Sequence, residues 1–132
     1  MVAQSLVDSK IDAGRRLIEE LDLSDFRVDA ALWLFREESA NWRLILASPL
    51  FDSHGPKETY RRLQNILAKL DYGPHDQSKV IGLSEIQVAS PKDELIQLLR
   101  VALRTGPTLS GIRFTGNTIN GVFIDDAYIY RM

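Results

Sequence analysis

Apolar residues in the first part of the chain recur at helical spacing. Val7, Ile11, Gly14, Ile18 and Leu21 step by four and three, and Leu6 and Leu17 widen the stripe. That spacing predicts an amphipathic helix, α1, from about Ala3 to Leu21. Gly14 lies on the stripe, where a missing side chain admits close approach by a neighbour.

The pattern then changes. Val28 to Glu37 (VDAALWLFRE) is aliphatic and aromatic and short, which predicts a strand, β1. Leu32 and Leu34 point one way, Trp33 and Phe35 the other. Two apolar faces imply a central strand, or a sheet face used for association. Glu38 to Asn41 is a polar break, and Trp42 to Ser48 reads as strand β2. Hairpin pairing through that break sets Phe35 opposite Leu44, Trp33 opposite Leu46 and Leu34 opposite Ile45. The same register sets Arg36 opposite Arg43.

Pro49 to Gly55 reads as a loop, and Pro56 suits the first turn of a helix, α2. Tyr60, Leu63, Ile66, Leu67 and Leu70 form its stripe, and Gly73-Pro74 ends it. Strand β3 runs from about Glu85 to Ala89. Ser90-Pro91-Lys92-Asp93 then starts helix α3, with Ser90 as the expected cap and Leu95, Leu98, Leu99 and Ala102 as the stripe. Gly106-Pro107 closes it. Ser110 to Met132 is β-rich. Strand β4 starts at Ile112, Asn120-Gly121 is a strong turn signal, and β5 follows from Val122. Asp125-Asp126 is a bulge, or a second turn before a sixth strand.

The predicted fold is α/β, bordering on α+β, with residues 1–132 as one domain. The order is α1-β1-β2-α2-β3-α3-β4-β5, with an optional β6. β1 and β2 form an antiparallel hairpin. Helix crossovers of right-handed sense would make β2, β3 and β4 parallel, and a β-hairpin ends the chain.

Composition narrows the chemistry. The chain has 132 residues, 45% hydrophobic and 26% charged, as in an ordinary folded domain. Sixteen Lys and Arg face eighteen Asp and Glu, so bulk charge does not draw it to nucleic acid or membrane. Cysteine is absent, which excludes disulfides, thiolate nucleophiles and thiolate metal ligands. The first ten residues lack a signal-peptide apolar stretch, and the longest apolar run is far too short to span a bilayer. A cytoplasmic protein is expected.

In sheets of this kind ligands sit beyond the carboxyl ends of parallel strands. That edge would hold Ser48, Asp52, Ser53, His54, Ser90 and Lys92, with Asp25 and Arg27 entering β1 at the same end. Thr115 and Asn117 would follow β4 there. Asp52 and His54 are the catalytic candidates: the imidazole can act as acid or base near neutrality, and the carboxylate can orient it. Ser53, Ser90, Lys92 and Arg27 are the candidate ligand or anion contacts. Capping of α2 accounts for Asp52 and Ser53 equally well.

His75-Asp76 repeats the His–Asp pairing more weakly, and two histidines in separate loops do not form a metal-ligand spacing. Neither a glycine-rich phosphate fingerprint nor a serine elbow is present, so no cofactor is implied. Asp29, Asp52 and Glu85-Ile86-Gln87 resemble a nuclease arrangement only by analogy, with Gln87 where a lysine is expected. Lys57, Arg61, Arg62 and Lys69 belong to a solvated helix face, and nucleic-acid binding is not indicated.

Phe123, Tyr128 and Tyr130 form a C-terminal aromatic cluster in which Phe123 is expected in the core. Tyr128 and Tyr130 share one strand face, opposite Ala127 and Ile129, so one face should pack on another subunit or on a helix. With Arg36 and Arg43 they are the interface candidates. The expected function is a non-enzymatic interaction module, homodimeric through its sheet or its C-terminal aromatic hairpin. The alternative is a small hydrolase or metal-dependent nuclease built on Asp52 and His54.

Overall fold

A computed structural model describes residues 6, 8–70, 81–103, 106, 108–119 and 121–132. Gly73-Pro74, His75-Asp76, Pro107 and Asn120 of the sequence reading lie outside them. Three helices flank a five-stranded mixed sheet. The helices are α1 (Asp8–Leu23), α2 (Pro49–Lys69) and α3 (Glu94–Ala102). The strands are β1 (Ala30–Arg36), β2 (Asn41–Ala47), β3 (Ile86–Ala89), β4 (Ile112–Ile119) and β5 (Val122–Arg131). The order across the sheet is β3-β2-β1-β5-β4.

β1 is the central strand, and its two apolar faces supply two cores. Trp33, Leu44, Leu46, Ile86, Val88 and Tyr130 pack on one side with Leu17, Ile18 and Leu21 of α1 and Leu63 and Ile66 of α2. Leu32, Leu34, Ile45, Ala127 and Ile129 pack on the other with Ile96 and Leu99 of α3. One face therefore carries two helices of 16 and 21 residues, and the other a single helix of 9.

The β1–β2 hairpin is antiparallel as expected, but its register is displaced by two residues. Trp33 stands opposite Leu44, Phe35 opposite Trp42 and Leu34 opposite Arg43. The turn occupies residues 37–40, with Ala40 at φ 53° and its amide donating to the Arg36 carbonyl at 2.8 Å. An even displacement keeps every side chain on its predicted face. It also pairs the Phe35 and Trp42 rings, with centroids 5.4 Å apart, and moves Arg43 away from Arg36. Aromatic cross-strand pairs stabilise a ladder, and like charges directly opposite weaken it.

β2 and β3 are parallel through α2, as predicted. β4 is not parallel to them. It pairs antiparallel with β5, which pairs antiparallel with β1, so β4 lies at the far edge and runs opposite to β2 and β3. Burial explains the placement. β5 fills both cores with alternate residues and takes the inner position, while β4 is mostly exposed and suits an edge. The C-terminal hairpin forms as expected. Val122 to Arg131 is one strand, so Asp125-Asp126 is not a turn and there is no sixth strand among the described residues.

Two helix starts differ from expectation. The segment predicted as a loop is the first part of α2. Ser48 caps it, accepting from the Leu50 amide at 3.2 Å, and the helix kinks at Gly55 (φ 81°) before Pro56. Buried Thr59 holds the kink by donating to the carbonyls of Leu50 and Gly55. At α3 the cap is Asp93, which accepts from the Leu95 amide at 2.9 Å. Ser90 makes a turn ahead of the helix instead.

Candidate functional site

The carboxyl ends of β2 and β3 lie side by side, and the Ser48 amide donates to the Ala89 carbonyl at 2.9 Å. This brings Asp52, in the first turn of α2, to Ser90 after β3. Ser90 Oγ donates to the Asp52 carboxylate at 2.9 Å and accepts from the Lys92 amide at 3.0 Å. The His54 ring meets its neighbour: Ser53 Oγ lies 2.7 Å from His54 Nδ1 and donates to the Pro49 carbonyl. Two pairs thus form, Asp52–Ser90 and Ser53–His54, where the sequence pointed to a single constellation. All of Asp52, Ser53 and His54 are exposed. The Ser90 proton goes to a carboxylate and not to an imidazole, an arrangement that ties a loop to a helix.

The remaining strand-end residues gather elsewhere on the same edge. Asp25, Arg27 and Asp29 line an open cavity of about 780 Å³ together with Arg100 of α3 and Asp22 and Arg131. Arg27 is exposed and pairs with Asp29 at 2.7 Å. Arg131 is 7% exposed. Its Nη1 donates to Asp22 Oδ1 and to the Val28 carbonyl, each at 3.0 Å, and its Nη2 to Asp22 Oδ2 at 2.8 Å. Arg100 Nη2 donates to the Asp29 carbonyl at 3.2 Å. Thr115 and Asn117 do not join this edge. They lie within β4, where Thr115 donates to Asp126 and Asn117 to the Thr115 carbonyl.

The interface candidates separate in the same way. Tyr130 is fully buried beneath α1, and Tyr128 packs beside it with ring centroids 5.2 Å apart. The aromatic face of β5 is therefore covered by a helix of its own chain. Arg43 is engaged by the Ser84 carbonyl at 2.9 Å, and Arg36 stands opposite Asn41.

Besides Leu23 at the end of α1, the exposed large apolar residues among the described ones lie on the other face, between α3 and the β4–β5 hairpin. A groove of about 710 Å³ there has Leu95, Leu98 and Val101 on one wall and Val122, Phe123 and Ile124 on the other. Val101 is 77% exposed and Phe123 58%. Lys92, Arg36, Glu38, Glu94 and Asp125 stand around it.

Arg100, Arg131 and Val101 were not singled out by sequence, and Phe123, expected in the core, is instead exposed because it stands on the outward side of the β4–β5 hairpin. Val101 carries the one local signal, an aliphatic residue off the α3 stripe. Among the described residues no helix is long and apolar enough to cross a membrane. No family model, no curated protein and no solved structure matches the chain.

Proposed function

We propose that the chain is a non-enzymatic interaction module that pairs with a second copy of itself through the groove between α3 and the β4–β5 hairpin. The observation that carries this reading is the exposure of Val101 and Phe123 in one groove. Apolar groups left in water on facing walls gain by covering, at roughly 25 cal/mol per Å² of apolar area removed from solvent. A single nine-residue helix leaves this sheet face less covered than the α1–α2 face.

The charges around the groove favour a second copy over a partner of one sign. Arg36 and Lys92 share its edge with Glu38, Glu94 and Asp125. In a twofold interface each patch meets itself, and a mixed rim can satisfy both signs across the axis. A reducing compartment such as the cytoplasm suits a chain without cysteine.

Sedimentation equilibrium at micromolar concentration tests the proposal. The wild type is expected at twice the chain mass, and Val101→Asp/Phe123→Asp at the chain mass with an unchanged far-ultraviolet circular dichroism spectrum. A monomeric wild type at about a hundred micromolar, far above the usual range for a stable pair, would overturn it.

The alternative, a small hydrolase or metal-dependent nuclease built on Asp52 and His54, requires those two side chains to converge, whereas Asp52 meets Ser90. Neither residue lines the two cavities described above, and His54 bonds to Ser53, so the geometry favours the interaction reading.

A further inference from the structure

We infer that β4 is a second self-pairing surface, through which two copies join edge to edge in antiparallel sense and turn two five-stranded sheets into one of ten strands. It is independent of the groove proposed for pairing. The two edges of the sheet differ in protection. β3 has four residues, and its Val88 amide donates to the Tyr60 hydroxyl of α2 at 2.9 Å, so that edge is short and partly capped. β4 has eight residues, and no strand lies beyond it among the described residues. Alternate residues of an edge strand aim their N–H and C=O groups outward, and proteins commonly guard them with lysine, proline or a covering segment. From Phe114 to Ile119 β4 carries neither a charge nor a proline. Its one charged residue, Arg113, is held in a fork by Asp126 of the same chain, at 2.7 and 2.6 Å.

The order of residues along β4 selects a second copy as the occupant. An antiparallel pair with its twofold axis at Thr115 aligns residues 112–118 of both copies. Thr115 then meets its own counterpart, and threonine pairs favour a ladder. Arg113 falls opposite Asn117 of the second copy, so like charges do not meet. Ile112 falls opposite Thr118, and Phe114 opposite Gly116. Gly116 leaves a notch in the edge, since a Cβ built there would meet no atom within 4 Å. Phe114 is half-buried, and its ring can lie over the glycine of the second copy, a pairing that makes up for the missing side chain. Gly116 stands at φ 59° and, as glycine, reaches the extended region as readily. A single strand pair is a small contact, so its Kd should fall on the order of 0.1–1 mM, weaker than pairing through the groove.

Sedimentation equilibrium of the full chain carrying Val101→Asp/Phe123→Asp, from about 10 µM to about 1 mM, tests the inference with the groove disabled. Single chains are expected at the low end and pairs at the high end. Adding Thr115→Lys sets two ammonium groups together on the axis, beside Arg113, and should weaken pairing roughly tenfold or more in a chain with an unchanged circular dichroism spectrum. An equimolar mixture of that variant with Thr115→Glu in the same background should recover the affinity, because opposite charges then meet. A parent that stays a single chain at about 1 mM would overturn the inference. So would undiminished pairing of folded Thr115→Lys, or a mixture that pairs no better than Thr115→Lys alone. Pairing of the parent already at about 10 µM, abolished by Thr115→Lys, would support β4 and remove the groove as the main contact.

Discussion

The indole nitrogen of Trp33 donates to the phenolic oxygen of Tyr130 at 2.9 Å, with both side chains buried in the core beneath α1. Tyr130 in turn donates to the Ile11 carbonyl of α1 at 2.7 Å. The central strand, the last strand and the first helix are thus joined through one hydroxyl. Gly14 makes room for it, because a Cβ at that position would overlap the Tyr130 oxygen. Burial pushes the Tyr130 phenol well above its ordinary range, despite the opposing hydrogen bond from Trp33. Tyr130→Phe strands a buried donor and should cost about 1–3 kcal/mol in urea unfolding. Wild-type stability in that variant would show the hydroxyl to be dispensable.

Gly14→Ala should cost about 1–3 kcal/mol by overpacking. Part of that cost should disappear in the Tyr130→Phe background, where the overlapping oxygen is gone. A double-mutant cycle measures the coupling. Strict additivity would mean that α1 shifts to accommodate the methyl group.

At the start of α3 the roles of two residues are distinguishable. Asp93→Ala should cost about 1 kcal/mol, the usual loss for an N-cap. Ser90→Ala should cost less, because the helix keeps its cap. The Ser90–Asp52 bond should appear as coupling between Ser90→Ala and Asp52→Ala in chemical denaturation. A larger loss for Ser90 than for Asp93 would return the capping role to Ser90.

Leu46 is fully buried, opposite Ala31 and beside Val88. Leu46→Ala should cost about 2–5 kcal/mol, the range for emptying a packed aliphatic site. A loss below about 1 kcal/mol would mean that α2 collapses into the space.

Acid should destabilise the chain in a defined window. Partial burial raises the pKa of Asp126, but hydrogen bonds from Arg113 and Thr115 outweigh it and leave the carboxyl below its ordinary value. Hydrogen bonds from Arg61 and Arg62 hold Glu58 at about 2. Each folded-state value lies below the unfolded one, so the associated stability is present above about pH 4 and is lost as pH falls through the folded values. Urea midpoints should therefore decline from about pH 5 toward about pH 2, less steeply in Asp126→Asn. Parallel profiles would remove Arg113–Asp126 as a source of stability.

The choice between capping and chemistry at Asp52, Ser53 and His54 was not legible in the chain, because the same residue types serve both purposes. Only their partners separate the roles. Ser90 reaches Asp52 across a sequence separation of 38, and His54 turns to the adjacent Ser53. Arg131 was equally hidden: the last residues of an apolar strand give no sign that an arginine there is buried on Asp22, 109 positions earlier.

Local pattern alone determined the presence of three helices, the hairpins and the two-sided apolar character of β1, because periodicity and turn residues act within a few positions along the chain. It also assigned Trp33, Leu44 and Leu46 to one sheet face and Leu32, Leu34 and Ile45 to the other. It could not distinguish two hairpin registers differing by two residues, since both leave the same side chains on the same faces. The tertiary structure chose the one that pairs Phe35 with Trp42. It also decided the direction of β4, the covering of Tyr130 by α1 and the gathering of Arg100 and Arg131 around one cavity. These outcomes depend on which strand best fills both cores beside β1, a competition among segments distant in sequence that no local pattern records.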